Sequence, residues 1–262
     1  MKIKANGIEI NCEIAGNGPW VTLSHSLACN LHMWDEQTEA LTKKYQVLRY
    51  DIRGHGASSA PSGAYTLEQL ADDAHGLLAA LGVKQTHWVG LSLGGMIWQT
   101  FALKYPRVLT SLTLADTTSR YPAEAAPLWA ERIKSVEAGG MQAVTEATLA
   151  RWFTEAYRQS HPQVMDRVGG YIRATPVAGF VGCCHAIPQI NLTHRLQQIT
   201  CPALVIVGEQ DPGTPVAMAR EIHAALPGSE LVVIPSAAHL SSIEQQQAFN
   251  AALLGFLERA AQ

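Results

Sequence analysis

Thr86-His87-Trp88-Val89-Gly90-Leu91-Ser92-Leu93-Gly94-Gly95-Met96-Ile97-Trp98-Gln99-Thr100-Phe101 is the stretch from which the rest of the chain can be read. Residues 86–91 form a short apolar run bounded by polar residues, which reads as a buried strand. Residues 96–105 read as a helix that stops before Pro106. Between them lies Gly90-Leu91-Ser92-Leu93-Gly94, a G-x-S-x-G spacing in strand–turn–helix context. Such a turn lifts one hydroxyl clear of a sheet edge, and small residues beside it let two backbones approach. The helix starting there aims its free amides and positive dipole end at the point where an oxyanion would develop. The alternative is a glycine-rich turn with an inert serine. A serine hydroxyl is a weak nucleophile, so the chemical reading requires a base and an acid elsewhere in the chain.

Outward from this stretch the chain keeps a regular alternation. Residues 2–5 and 8–14 flank Asn6-Gly7 and read as a β-hairpin. Residues 20–23 form an apolar run that stops at Ser24-His25-Ser26, and residues 45–50 form another that stops at Asp51-Ile52-Arg53-Gly54-His55-Gly56. Thr66 and Gln69 give a capping-box pattern before the stripe Leu67, Leu70, Ala74, Leu77, Leu78 and Leu81, and Gly82 ends that helix. Residues 111–115 are a further buried run. Short strands, apolar on both faces and alternating with helices, predict an α/β fold with a mainly parallel sheet.

From about residue 119 to 194 the rhythm breaks, with helical periods at 125–138, 141–153 and 162–172 and no convincing strand. This segment carries seven Lys/Arg and six Asp/Glu, a charge of +1, against −4 for the remainder of a chain of net charge −3. Strand and helix then resume at 203–207, 215–226, 231–234 and 243–259. The expected organisation is a core of residues 1–118 and 195–262 with a helical insertion at 119–194.

Composition narrows the function class. A chain of 262 residues, 47% apolar and 16% charged, is globular and long enough to bury a core without disulfide or metal staples. A net charge of −3 gives no electrostatic footprint for nucleic acid. Five irregularly spaced cysteines without a C-x-x-C pair suggest reduced thiols, and the first residues lack an apolar signal region; a cytoplasmic location is expected. Residues 85–103 and 174–194 lack formal charges but contain prolines, glycines, glutamines or histidines, so both are expected to be buried segments and not membrane spans. No H-E-x-x-H, Cys/His cluster or P-loop occurs, and neither a metal nor a cofactor is expected. Monomer and homo-oligomer both stay open.

The base should follow a late strand. His239 lies just past the run at 231–234, and Asp211 just past the run at 203–207, where catalytic groups gather in open α/β sheets. Asp116, after residues 111–115, and Glu209 are the rival acids. His25 and His55 are expected to be turn residues bonding local backbone, and His75 and His223 sit within helices. An oxyanion needs two donors, expected from the backbone N–H groups of Leu93 and Leu27.

The order Ser92, Asp211, His239 resembles that of the α/β-hydrolases. The whole chain is similar to the capped esterase and lactonase group of that fold, and in finer grain to 3-oxoadipate enol-lactonases. The resemblance rests on Ser24-His25-Ser26-Leu27, His32-Met33-Trp34, Leu48 to Gly56, Gly63 to Leu70, Gly90 to Gly95, Arg151-Trp152-Phe153-Thr154 and Ala238-His239-Leu240-Ser241. It departs at the oxyanion loop, where many relatives carry His-Gly and this chain has His25-Ser26, and where the enol-lactonases carry Ser-Asn-Ser-Leu-Gly. Haloalkane dehalogenases and epoxide hydrolases of this type carry aspartate where Ser92 stands.

The resemblance implies a cap, made by the insertion, that covers the nucleophile and shapes the pocket. Trp129, Trp152, Phe153 and Tyr157 are its aromatic candidates, with Trp152 the expected wall. Arg132, Arg151 and Arg173 are candidate partners for a substrate carboxylate. The expected partner is a small-molecule ester or lactone, most specifically an enol-lactone of the 3-oxoadipate kind. A broad carboxylesterase for short acyl esters, or a ligand-binding receptor that kept the triad, are the alternatives.

Overall fold

The computed structural model describes residues 1–260. Asn6 and Gly7 have φ of 46° and 79°, the pair of positive values that a two-residue hairpin turn requires, and Ala5 pairs with Ile8 across it. This turn joins β1 (Lys2–Ala5) to β2 (Ile8–Ala15). Then come β3 (Trp20–Ser24), α1 (Asp35–Leu41), β4 (Gln46–Tyr50), α2 (Leu67–Ala80), β5 (Thr86–Leu91), α3 (Leu93–Lys104) and β6 (Leu109–Ala115). The helices α4 (Ala126–Gly139), α5 (Gln142–Trp152), α6 (Glu155–Ser160), α7 (Pro162–Ala174) and α8 (Val177–Ala186) follow. The chain ends with β7 (Ala203–Gly208), α9 (Val216–Ala225), β8 (Glu230–Ile234), α10 (Ser241–Glu244) and α11 (Gln246–Ala260).

The eight strands form one sheet in the order β1-β2-β4-β3-β5-β6-β7-β8. Only the β1–β2 and β2–β4 pairings are antiparallel; from β4 onward every pairing is parallel. Every residue of β5 and of β7 is buried, which is why both read as unbroken apolar runs. The strand order reverses at β3, which has β4 on one side and β5 on the other. Ser24 at the end of β3 pairs with Gly90 of β5, so the loops leaving these two strands start side by side. A crevice at such a switch point is the natural ligand site of an open α/β sheet.

The α2 boundary follows its sequence signals: the Thr66 hydroxyl accepts the Gln69 N–H at 3.0 Å and Gly82 takes a φ of 71° after the last turn. Three helices have no counterpart in the apolar period. α1 and α6 are two turns or less, and α8 (VAGFVGCCHA) is apolar on most sides. α8 is held by burial, since its glycines meet other elements closely. A Cβ on Gly179 would lie 2.4 Å from the Gly54 Cα, and one on Gly182 would lie 2.7 Å from the Tyr65 ring. Helix α3 starts at Leu93, three residues before the expected 96, because the turn at Ser92 passes directly into it.

The five helices α4–α8 lie between β6 and β7, and the chain leaves and returns along one path. Leu192 N–H donates to the Ser119 carbonyl at 2.8 Å, and Arg120 and Asn191 form an antiparallel bridge. The two charge-free stretches fall in β5–α3 and in α8 with the turns beyond it. No helix among the described residues is long and apolar enough to cross a membrane.

Candidate active site

Ser92 stands between β5 and α3 with φ 55° and ψ −114°, a strained conformation for a residue with a Cβ. Such strain costs about 1–3 kcal/mol and persists only where surroundings enforce it. Here Ser92 N–H donates to the Ala115 carbonyl at 2.9 Å, while the Ser92 carbonyl accepts Met96 N–H at 3.0 Å and the Thr117 hydroxyl at 2.8 Å. A Cβ on Gly94 would lie 2.2 Å from the Ser24 carbonyl oxygen, and one on Gly90 would lie 2.5 Å from that of Gly94, so the flanking glycines are steric necessities. Leu93 is the first residue of α3, and its N–H therefore has no partner within the helix.

The loop after β3 is tied down on both sides of Leu27. His25 Nδ1 donates to the Ser26 carbonyl at 2.7 Å and its Nε2 accepts Ile52 N–H at 2.9 Å. His55 Nε2 accepts Ala28 N–H at 3.0 Å, and its Nδ1 meets the Arg53 carbonyl at 3.2 Å. Each ring thus serves as a neutral donor–acceptor bar. Burial pushes His25 down to about 4, and burial with the charge of His25 pushes His55 down to about 3. The expectation of purely local bonding is corrected here: each imidazole also reaches 27 residues along the chain, cross-bracing the loops after β3 and β4. Ala28 is held at φ 58° within this brace.

Asp211 and His239 meet at 2.7 Å through Oδ2 and Nδ1. The same carboxylate accepts Gly213 N–H (2.7 Å), Thr214 N–H (3.0 Å) and the Thr214 hydroxyl (2.6 Å). Burial works against its charge, but the His239 charge and these hydrogen bonds outweigh it and hold Asp211 below the usual carboxylate range. For His239 burial likewise opposes the charged form, and the Asp211 charge and hydrogen bond reverse it, so its pKa is raised. The hydrogen bonds of the His239 ring run to Asp211 and Thr214; none joins it to the Ser92 hydroxyl among the described residues.

The rival acids are placed otherwise. Asp116 is buried, with Oδ1 accepting Gly208 N–H at 2.8 Å and Oδ2 accepting the Ser241 hydroxyl at 2.5 Å. Burial, together with the nearby Asp211 charge, pushes it up to about 8. Glu209 is exposed and accepts Ser236 N–H at 3.3 Å. The loops carrying Asp211 and His239 are laced by Gln210 N–H to the Ala237 carbonyl at 2.8 Å, and a Cβ on Gly208 would lie 2.1 Å from the Ala238 oxygen.

A cavity of about 520 Å³ opens over this edge of the sheet, and Ser92, His239 and Leu27 all line it. Its other side is formed by α4 and α5, through Trp129, Arg132, Arg151 and Trp152. The Trp152 ring stacks near the His239 ring, with centroids 6.5 Å apart. Arg132 lies 4.4 Å above the Trp129 ring. Burial and the charge of Arg132 push Arg151 down to about 10. The lining contains these two guanidiniums and no carboxylate among the described residues. Phe153, Tyr157 and Arg173 do not line the cavity; Phe153 is core, and Tyr157 stacks between Phe153 and His161. Thr148 and Leu128 do line it and escaped sequence reading. Helical spacing could have found them, because 148, 151 and 152, like 128, 129 and 132, share one face.

The α/β-hydrolase fold family matches residues 19–246. The 3-oxoadipate enol-lactonase 2 of Acinetobacter baylyi is 33% identical over 259 residues, covering 98% of this chain and 96% of its own. The enol-lactonase from Burkholderia xenovorans LB400 superposes with a TM-score of 0.95 at 35% identity, over 98% of this chain and 100% of its own. A thermophilic esterase from Thermogutta terrifontis gives a TM-score of 0.96 at 30% identity over the full length of both chains. Sequence and fold agree over nearly the whole length, and the chain belongs to the α/β-hydrolase family.

Proposed function

We propose that the protein is a serine hydrolase that opens a small lactone through an acyl-enzyme, with residues 1–118 and 195–262 as catalytic core and residues 119–194 as cap. The single observation that carries the chemistry is the buried Asp211–His239 pair whose His239 lines the same cavity as a serine on a strained strand–helix turn. Ser92 Oγ attacks the carbonyl carbon as His239 takes its proton. Asp211 keeps the imidazole in the tautomer with Nδ1–H and stabilises the imidazolium. The negative oxygen of the tetrahedral intermediate is held by the amides of Leu27 and Leu93. Collapse breaks the ring C–O bond, and the leaving oxygen takes the proton from His239. Water then loses a proton to His239 and attacks the acyl carbon; the second tetrahedral intermediate collapses, His239 returns that proton to Ser92 Oγ, and the acid leaves.

The substrate reading rests on the cavity and on relatedness. Two relatives of this length are enol-lactonases, and the cavity presents Arg132 and Arg151 without a neutralising side chain among the described residues. A lactone bearing a carboxylate would supply that neutralisation through charge-assisted hydrogen bonds. A 3-oxoadipate enol-lactone meets this description. The esterase relative favours the second reading, a carboxylesterase for short neutral esters.

Ser92→Ala tests the mechanism. The variant should fold, lose about four to six orders of magnitude in kcat and escape labelling by an active-site fluorophosphonate. Ester cleavage at the wild-type rate by the alanine variant would remove the mechanism. A panel of enol-lactone, acyl-homoserine lactone and p-nitrophenyl esters ranks the substrate readings by kcat/KM.

A further inference from the structure

Glu244 is a buried carboxylate five residues beyond His239, at the end of the short helix α10. Its Oε2 accepts Ala238 N–H at 2.8 Å, and Ala238 immediately precedes His239. Its Oε1 accepts Thr154 N–H at 2.9 Å and the Thr154 hydroxyl at 2.5 Å. Thr154 lies two residues beyond Trp152 and caps α6 by accepting Tyr157 N–H. A second tie runs on the far side of His239, where Leu240 N–H donates to the Trp152 carbonyl at 3.0 Å. The residues before and after His239 are therefore both fastened to the segment that carries Trp152, one through Glu244 and one directly. The Trp152 ring itself stacks near the His239 imidazole.

A buried carboxylate is stable only where its lone pairs are met, and here three donors meet them, one from the adjacent His239 loop and two from a segment 90 residues away. Neither segment supplies that acceptor itself. Removing Glu244 would leave Ala238 N–H and Thr154 N–H without their carboxylate partner beside the triad.

We infer that Glu244 is a positioning residue that fastens the His239 loop to the Trp152 wall, so that base and pocket wall keep one mutual geometry. The inference rests on reading His239 as the base. It makes two effects separable, because the two halves of the bridge serve different ends. The Ala238 bond sets the imidazole and should act on kcat. The Thr154 bonds set the wall and should act on KM.

The test uses the full chain with a p-nitrophenyl short-acyl ester, well below the unfolding temperature. Glu244→Ala should lower kcat at least about tenfold, raise KM several-fold and slow fluorophosphonate labelling of Ser92 in step with kcat. Thr154→Val removes the hydroxyl half together with the α6 cap; it should raise KM while kcat stays within about twofold, whereas loss of the cap alone would lower the melting temperature and leave KM unmoved. Glu244→Gln keeps shape and one acceptor, and should fall between wild type and alanine on both parameters. Should Glu244→Ala fail to fold, the Gln and Val variants decide. A merely structural Glu244 would lower the melting temperature and leave kcat, KM and labelling at wild-type values in the folded variants; that pattern overturns the inference. Ser92→Ala separates the two levels. If it abolishes hydrolysis while the Glu244 variants behave as wild type, the positioning role alone falls. If it hydrolyses normally, the triad reading falls and takes the positioning role with it.

Discussion

The sheet edge and the helical segment above it face the same cavity but are built in opposite ways. At the edge, backbone geometry is fixed by close contacts that admit one residue type: Gly90, Gly94 and Gly208 touch neighbouring main chain, and Ser92, Ala28 and Asp116 all hold positive φ. Buried side chains then brace that backbone, with His25 and His55 across two loops and Asp116 across two more. Above it, α4 and α5 present side chains from ordinary helix faces, several of them half-exposed, with the Trp152 end of α5 tied to the edge through Leu240 N–H. On the proposed function the difference amounts to a division of labour: the edge would fix where charge develops during reaction, and the helices which molecule arrives there. Substitutions at the edge should change rate for every substrate, and substitutions in α4 and α5 should change preference.

The largest expected effect beyond the nucleophile itself separates the two buried acids at the edge. Asp211→Asn should cost about 10⁴ in kcat near neutral pH, because the amide favours the wrong imidazole tautomer. Asp116→Asn should cost far less, since Asp116 bonds Gly208 and Ser241 and not His239. At neutral pH a carboxyl raised to about 8 is already mostly protonated, so an amide resembles it in charge. Steady-state kinetics on one neutral ester suffices. If the two losses come in the reverse order, Asp116 is the acid partner of the base.

How far each region could be read from sequence follows the same division. The edge was legible because its constraints act on residue type: a glycine where backbones touch, a serine at a turn, an acid and a histidine just past strand ends. Ser92, Asp211 and His239 were singled out by such signals, and the structure brings Asp211 and His239 into contact while Ser92 and His239 line one cavity. The sheet was legible for a related reason, since β5 and β7, buried on both faces, leave unbroken apolar runs. The insertion was legible as helical but not in detail. α8 carries no usable period because it is buried on most sides, and Arg132, Arg151 and Arg173 cannot be ranked without knowing which way each helix faces. Glu244 left no pattern at all, because its partners lie 90 residues upstream and six residues upstream on separate loops.

A second test asks whether the edge depends on neutral histidines. His55 is free to bind a proton near 6.5 when unfolded, but burial holds it down to about 3 in the native state. Between these values the unfolded chain binds the extra proton. The stability that His55 contributes is therefore complete above about pH 6.5 and is lost as pH falls toward its folded value. His239 and Asp116, both raised, act in the opposite direction, so the informative quantity is a difference between proteins. His55→Gln should be less stable than wild type at pH 7. The gap should then narrow by about 1.4 kcal/mol per pH unit below 6.5, or about 3 kcal/mol by pH 4. Urea unfolding at several pH values reads it. A gap that stays constant with pH would mean that His55 titrates normally, and that the brace is not the neutral bar its hydrogen bonds describe.

The smallest expected effect is the most selective and belongs to α4 and α5. Arg132 and Arg151 line the cavity with no carboxylate among the described lining residues, and burial, with their mutual repulsion, pushes Arg151 down to about 10. A substrate carboxylate relieves that repulsion; a neutral ester does not. Arg132→Met and Arg151→Met, each keeping bulk while removing charge, should lower kcat/KM for an anionic enol-lactone by about 1.5–3 kcal/mol, some tenfold to hundredfold. For a neutral p-nitrophenyl ester the change should stay within about twofold. Arg173→Met serves as the control, because Arg173 does not line the cavity, and neither substrate should respond. Trp152→Ala should weaken both substrates, since it removes apolar wall beside the base instead of charge. Arg132→Met carries a second signature. The Arg132 charge opposes protonation of His239, so its removal should raise the histidine pKa and move the acidic limb of the kcat/KM profile to higher pH. A substrate ratio unchanged in both arginine variants, with the acidic limb shifted, would place Arg132 beside the base but deny it a carboxylate to bind. The neutral-ester reading would then describe the cavity better than the anionic lactone.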